Sequence, residues 1–124
     1  MSLKNNEYKL QLNSPWFSHV LTGRKKYEGR RLYGQTLNFK VGDALVFSPV
    51  NTPENEKFIG MTVSKTIEAI LIFKTFEDGL VQLHNKIDEI LPDVKTIKEA
   101  VDTYYKYVSL KTQQKDGICF IKLK

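Results

Sequence analysis

An alternation of apolar and polar residues between Phe58 and Phe73 constrains the fold of this chain more than any other feature. Apart from Lys65 the odd positions are apolar: Ile59, Met61, Val63, Ile67, Ala69, Leu71 and Phe73. Small or polar residues lie between them as far as Glu68: Gly60, Thr62, Ser64, Thr66 and Glu68. A period of two is typical of a strand that buries one face. We therefore predict one long strand here, bent or bulged near Ser64 and Lys65, where the alternation lapses.

Shorter patterns on both sides of this segment predict the remaining elements. Further strands are expected over residues 8–12, 26–30, 44–48 and 117–123, and polar loops over 32–40 and 51–57. A short helix should begin at Pro15, with Ser14 as its cap, and end at Gly23. Two more helices are expected over residues 76–83, interrupted by Gly79, and 96–108, with Thr96 and Glu99 as a capping box.

These elements predict an α+β fold built on a small mixed β-barrel with flanking helices. The last strand follows the helices, so it must pair with strands formed earlier, and a mixed sheet that closes on itself achieves this economically. The length of 124 residues suits a single domain over residues 1–124. A composition of 41% hydrophobic and 27% charged residues excludes disordered, collagen-like and disulfide-scaffold chains.

Several functional classes are disfavoured by what the sequence lacks. It has no apolar run of membrane-spanning length and no apolar signal-peptide core at its start, so we expect a cytoplasmic protein without a membrane partner. One cysteine and two histidines give no metal-binding spacing, and we expect neither metal nor cofactor. Cys119 lies in an apolar run and is predicted to be a small buried side chain.

The net charge of +5 is concentrated in one segment, residues 24–40. This segment has one acid, Glu28, against six basic residues: Arg24, Lys25, Lys26, Arg30, Arg31 and Lys40. The rest of the chain is balanced, so we expect an anionic partner at this segment, and a merely solvated basic face is the alternative. In a strand, Lys26, Glu28 and Arg30 would share one face, opposite Tyr27 and Gly29.

The most specific pattern runs from Leu12 to Phe47. A short helix with aromatic residues near its start is followed by G-x-K-x-x-E-x-R (Gly23, Lys25, Glu28, Arg30), then by V-G-D at Val41–Asp43 and a hydrophobic strand. This spacing resembles the ASCH domain family, a PUA-like β-barrel group, and weaker similarity extends to about Leu123. The resemblance implies a cleft between the first helix and the strand that bears Glu28 and Arg30.

The resemblance also implies two functions. Family members are proposed to bind RNA, and we expect RNA or a nucleotide-like ligand to contact the basic residues of the segment together with Glu28 and Tyr33. Some small bacterial members are amidohydrolases acting on N4-acetylated cytidine. Their lysine matches Lys25, but Glu28 stands where they have a threonine, and only Asp88 or Glu89 is a candidate for their glutamate. Lys25 and Glu28 would then be the catalytic pair.

Other interpretations of the same residues remain open at this level. One alternative is that Glu28 and Arg30 form an ion pair with a purely structural role. Another is that the basic segment binds an acidic protein partner. Trp16 and Phe17 fall on an apolar helix face, which favours core packing over base stacking. Tyr33 is the better stacking candidate. His19 is expected to be exposed. The natural ligand, any catalysis and the oligomeric state are left undetermined by the sequence.

Overall fold

A mixed five-stranded sheet forms the centre of the fold. The computed structural model describes residues 4–124, so the first three positions of the predicted domain lie outside it. The strands are β1 (Glu7–Leu12), β2 (Tyr27–Arg31), β3 (Ala44–Pro49), β4 (Val63–Phe73) and β5 (Ile118–Leu123). They lie in the order β1-β3-β4-β5-β2, with β1 parallel to β3 and the other pairs antiparallel.

The sheet curls into a half-barrel, and helices flank it, so the α+β prediction is confirmed. The predicted closure is not found: β1 and β2 are the two edges of the sheet, and no ladder joins them among residues 4–124. The described part of the chain adds five helices: α1 (Trp16–Leu21), α2 (Phe76–Gln82), α3 (Ile87–Ile90), α4 (Ile97–Tyr105) and α5 (Leu110–Asp116). It also has three 3-10 turns, at Gly34–Asn38, Pro53–Phe58 and His84–Lys86.

Strand β5 separates two hydrophobic cores. Cys119 and Ile121 point into the half-barrel, where they join Phe17, Phe47 and other apolar side chains of α1, β1 and β3. Ile118 and Phe120 point to the opposite face and join a core shared with α2, α3 and α4. Because successive strand residues face opposite sides, a nearly continuous apolar strand such as β5 is required wherever both faces are covered. The predicted burial of Cys119 is confirmed.

Strand β4 is shorter than predicted and is irregular at a different position. It begins at Val63, after a 3-10 turn at Pro53–Phe58, and leaves Ile59 and Met61 exposed. Its first part pairs with β3 and its second part with β5. The register shift lies between Ile67 and Ala69, not near Ser64 and Lys65. A strand that changes partners has to bend where the partners change, and the bulge accommodates that bend.

The helices differ from the prediction mainly at their ends. Helix α1 begins at Trp16 and no side chain caps it, so the predicted role of Ser14 is wrong. Gly23 follows the helix with φ +81°, a conformation typical of a glycine that ends a helix. Helix α4 is capped by Thr96, whose Oγ1 accepts from the Glu99 N–H at 3.1 Å. Helices α3 and α5 were not predicted.

The sequence predicted that Gly79 interrupts α2, but the helix is continuous and Gly79 lies inside it. A Cβ at this position would lie 2.5 Å from the ring of Phe120 and 2.8 Å from that of Phe73. The glycine therefore allows the helix to pack directly on the aromatic side chains of the sheet. No helix within residues 4–124 is long and apolar enough to span a bilayer.

Candidate functional site

A cleft of about 350 Å³ lies between the two edge strands of the sheet. One side is formed by Gln11, Leu12 and Asn13 at the end of β1, and the other by Glu28–Arg31 of β2. Helix α1 contributes Trp16, and the helical layer contributes Phe76, Tyr104 and Tyr107. The cleft thus occupies the opening that a closed barrel would fill with a ladder between β1 and β2.

Lys25 forms the floor of this cleft. The Gly23 turn redirects the chain after α1, and the Lys25 N–H donates to the His19 carbonyl at 2.9 Å, which directs the side chain inward. Only 2% of the residue is exposed. Its ammonium donates to the Ile90 carbonyl and lies 3.8 Å from Glu28 Oε1 and 5.6 Å from the centre of the Trp16 ring.

Burial lowers the pKa of Lys25 to about 8. The loss of hydration is the largest cause, the neighbouring Glu28 carboxylate opposes it, and Arg30 adds to it by charge repulsion. A lysine that titrates this close to neutral pH exists as a mixture of ammonium and free amine near physiological conditions. It therefore has the proton affinity that general acid–base chemistry requires.

Glu28 and Arg30 project from β2 on the same face, as their spacing predicted. Glu28 is buried, and its Oε2 accepts from Arg30 Nε at 2.8 Å. Arg30 also donates from Nη2 to the Gln11 carbonyl at 3.2 Å, across the opening between β2 and β1. Its side chain therefore joins the two edges of the sheet at a point where the backbone does not.

The helical layer provides an aromatic wall. Tyr104 stacks on Phe76 with ring centres 4.0 Å apart and planes inclined by 6°. Its ring lies against Gly29, where a Cβ would be only 2.6 Å from the tyrosine hydroxyl. That hydroxyl is buried and has no hydrogen-bond partner among residues 4–124. Burial is the largest cause that raises the pKa of Tyr104 well above its ordinary value, and the charge of Glu28 adds to it.

Two exposed aromatic residues flank the mouth of the cleft. Tyr33 is 62% exposed, and the guanidinium of Arg31 lies 4.0 Å from its ring centre. Arg31 is also held by Asp116, whose carboxylate lies 2.6 Å from Nη2. Tyr107, 53% exposed, lies on the helical side of the mouth. An arginine fixed in place beside exposed rings suits both phosphate contact and base stacking.

Three members of the basic segment are paired with acids from distant parts of the chain. Arg24 binds Asp93 at 2.8 Å and lies 3.8 Å from Asp88, while Lys26 lies 3.8 Å from Glu89. Arg31 is the third, bound to Asp116. The charge excess apparent along the sequence is thus partly neutralised in the fold. Lys40 is exposed and does not line the cleft.

The predicted site residues consequently divide into two groups. Lys25, Glu28, Arg30, Arg31 and Tyr33 are brought together in the cleft, and Arg24, Lys26 and Lys40 are not among its lining residues. Lys26 was expected to share a face with Glu28, but its side chain is 57% exposed beside Glu89 and does not line the cleft. Lys25 is the buried neighbour of Glu28 instead.

The acid candidates Asp88 and Glu89 also lie outside the cleft lining, against Arg24 and Lys26. His19 is less exposed than expected, because its side chain is only 12% accessible and lies 3.6 Å from Asp93. Its pKa is lowered, first by burial and then by the charge of Arg24. Phe17 is fully buried, as predicted, whereas Trp16 is half-buried and lines the cleft.

Several cleft residues were not identified from the sequence. Gln11 and Asn13 lie at the end of an edge strand, Thr36 lies in a 3-10 turn, and Val108 follows α4. Nothing in their local sequence distinguishes them, because they meet only when the half-barrel forms. Tyr104 lies in α4 and belongs both to the core of the helical layer and to the lining of the cleft.

The chain is thus a small α+β protein whose curled sheet holds an aromatic-walled cleft with buried ionisable groups. The chain belongs to the family described as "Domain of unknown function (DUF3850)", whose model matches residues 7–84. This range includes Lys25, Glu28 and Arg30 but not Tyr104 or Tyr107.

Two solved structures share the fold. One is the crystal structure of hypothetical protein PH0355, with a TM-score of 0.79 and 23% identity over 95% of this chain and 97% of that one. The other is the solution NMR structure of protein PF0455 from Pyrococcus furiosus, with a TM-score of 0.67 and 21% identity over 95% of this chain and 96% of that one. No curated protein matches the chain.

Proposed function

We propose that this protein is a cytoplasmic RNA- or nucleotide-binding module of the ASCH type, with a PUA-like fold, whose ligand enters the cleft between β1 and β2. The observation that carries the proposal is the cleft itself: a concave site of about 350 Å³ with aromatic walls, whose floor is formed by Lys25, Glu28 and Arg30. Binding sites for small ligands typically combine such walls with a few convergent polar groups.

Each part of the cleft suits one part of a nucleotide. The rings of Tyr33 and Tyr107 are accessible for stacking, and stacking on a base tolerates any sequence. Arg31 lies at the mouth, where a phosphate attached to a bound base would pass, and its guanidinium offers the geometry that phosphate oxygens prefer. Arg24 and Lys26 do not line the cleft, so the cleft, rather than the whole basic segment, is the proposed contact surface.

The experiment is fluorescence anisotropy with labelled single-stranded RNA, duplex RNA and heparin over a salt series. Arg31→Gln should weaken RNA binding about tenfold, because a charge-assisted contact is lost, and should reduce the log–log salt slope by about 0.7. Lys57→Gln is the matched control, since it removes the same charge from an exposed 3-10 turn that does not line the cleft.

A salt slope near zero, or equal weakening by the two variants, would contradict nucleic-acid binding in the cleft. Equal affinity for heparin and RNA, unchanged by Arg31→Gln, would instead support a protein-interaction barrel that docks an acidic partner.

A second candidate function is supported by Lys25. A lysine with a pKa of about 8 beside a buried carboxylate has the properties of a general base. Thr36 also lines the cleft and supplies a hydroxyl group, although Glu28 stands where the resemblance places a threonine. Hydrolysis of an N4-acylated cytidine would add water across the amide bond and release the carboxylic acid and the free nucleoside.

The test of this activity is acetate release from N4-acetylcytidine. If Lys25 is the base, the rate should rise with pH through about 8 as the amine loses its proton, and Lys25→Met should abolish it. No acetate from the wild-type protein would exclude this substrate.

A further inference from the structure

The backbone of Gly29 faces the cleft, and its N–H and C=O have no hydrogen-bond partner among residues 4–124. The Leu123 N–H donates to the Lys26 carbonyl at 2.8 Å, and the Leu32 N–H donates to the carbonyl of Gly117, which directly precedes β5, at 3.1 Å. In an antiparallel ladder every second residue directs both its N–H and its C=O to the neighbouring strand. Glu28 and Arg30 are such positions and face β5, whereas the N–H and C=O of Gly29 point away from β5. Since β2 is an edge strand, the N–H and C=O of Gly29 are directed into the opening toward β1.

Tyr104 supplies a second unpartnered group at the same place. Its hydroxyl is buried, has no partner within the described part of the chain, and lies 2.6 Å from the position that a Cβ of Gly29 would occupy. An orphaned buried hydroxyl costs free energy in the unliganded protein, and a ligand that bonds to it removes that cost. Two independent features, one from the backbone and one from a side chain, thus point to the same ligand position.

The shape of the opening selects a flat ring over an extended peptide. A peptide added to the edge of β2 would have to continue past Arg30, but the Arg30 side chain crosses from β2 to the Gln11 carbonyl of β1. A single planar heterocycle needs no such continuation, and the aromatic wall of Trp16 and Tyr104 suits its faces. The N–H and C=O of one residue form an adjacent donor and acceptor, which matches the paired acceptor and donor on the Watson–Crick edge of a base.

We propose that Gly29 and Tyr104 form a base-reading subsite, in which the Gly29 N–H and C=O bond to the Watson–Crick edge of one unpaired nucleobase and the Tyr104 hydroxyl donates to an acceptor on that base. The inference rests on the proposed nucleotide-binding function and specifies its ligand: a nucleobase whose pairing edge is free, as in a mononucleotide or single-stranded RNA. Duplex RNA hides that edge and is excluded from the subsite.

The test is a titration of the ¹⁵N-labelled protein with the four ribonucleoside 5′-monophosphates and a single-stranded ten-nucleotide RNA. Each monophosphate is compared with its neutral edge-blocked analogue: N6,N6-dimethyladenosine, N4,N4-dimethylcytidine, N3-methyluridine or N1-methylguanosine monophosphate. Binding should shift the Gly29 amide resonance, and blocking the edge should weaken binding about tenfold or more. Comparing the monophosphates with the RNA distinguishes a free nucleotide from an RNA strand as the source of the base.

Tyr104→Phe separates a ligand contact from a structural role. It should weaken nucleotide binding about fivefold or more while leaving the melting temperature unchanged or higher, because the removed hydroxyl has no partner in the free protein. Tyr105→Phe is the matched control, since its side chain is exposed and does not line the cleft.

The possible failures can be told apart. Equal affinity for edge-blocked and unmodified nucleotides, together with unchanged binding by Tyr104→Phe, would overturn the subsite and leave nucleotide binding intact. Equal binding of duplex and single-stranded RNA would overturn it as well. No binding of any nucleotide or RNA would overturn both this inference and the proposed function.

Discussion

The buried ammonium of Lys25 should make the stability of the protein depend on pH in the alkaline range. The pKa of this group is about 8 in the folded protein against an ordinary value of 10.5. Below pH 8 the lysine carries its proton in both the folded and the unfolded state, so the folded state bears the full cost of the buried charge. Between these two pKa values the unfolded state binds more protons, and the free energy of unfolding therefore rises with pH.

The magnitude follows from the gap between the two pKa values. A pKa difference of one is equivalent to about 1.4 kcal/mol, so the gap at Lys25 corresponds to about 3 kcal/mol. Replacement by Met keeps the aliphatic stem in place and removes the titrating group. The difference in unfolding free energy between the wild type and Lys25→Met should therefore shift by about 3 kcal/mol in favour of the wild type between pH 7 and pH 10.5.

The assay is urea denaturation of both proteins at several pH values across this range. Other lysines and the tyrosines titrate in both proteins, so their contributions cancel in the difference. Lys26→Met is the control, because its side chain is 57% exposed and it should follow the wild-type curve within about 0.5 kcal/mol. If the wild type and Lys25→Met run parallel over the whole range, the folded pKa is ordinary and the argument from burial is wrong.

Three further substitutions or reactions test the packing. Gly79→Ala should cost about 1–3 kcal/mol of stability by denaturant melting, because the new methyl group would overlap the rings of Phe120 and Phe73, and an unchanged midpoint would contradict that packing. Gln113→Ala should cost about 1–3 kcal/mol, since the Gln113 side chain bonds to the Phe76 N–H and the Val108 carbonyl. The exposed neighbour Gln114→Ala should be nearly neutral, and equal losses would refute a special role for Gln113. Burial raises the pKa of Cys119 to about 12, so its thiol should react with a disulfide reagent at pH 8 only when the protein unfolds; rapid reaction of the native protein would show that the site is open.

The regular elements could be predicted from the sequence because their periodicity is local. The alternation along β4, the capping residue of α4 and the stop at Gly23 each depend on a few neighbouring residues, and each is observed. The start of β4 could not be predicted, because Ile59 and Met61 continue the pattern although no strand lies beside them. The bulge could not be placed either, since its position is set by the change of partner from β3 to β5.

The candidate site was only half predictable for the same reason. Lys25, Glu28 and Arg30 are close in sequence, so a motif reveals them together. Gln11 on β1 lies on the other side of the cleft, is brought there only by the topology of the sheet, and has no local sequence signal. The acids that neutralise Arg24, Lys26 and Arg31 likewise come from residues 88–116, which made the basic segment appear less balanced in sequence than it is in the fold.

The order of strands in the sheet also has a kinetic consequence. Strand β2 pairs only with β5 within residues 4–124, and the directly opposed residues Gly29 and Phe120 are separated by most of the chain. Contacts between residues so distant in sequence slow folding, because a large loop must close before they form. During synthesis on the ribosome, β2 has no ladder partner until β5 has emerged. The strand that carries Glu28, Gly29 and Arg30 is therefore among the last to pair, and the cleft forms only when the sheet is complete.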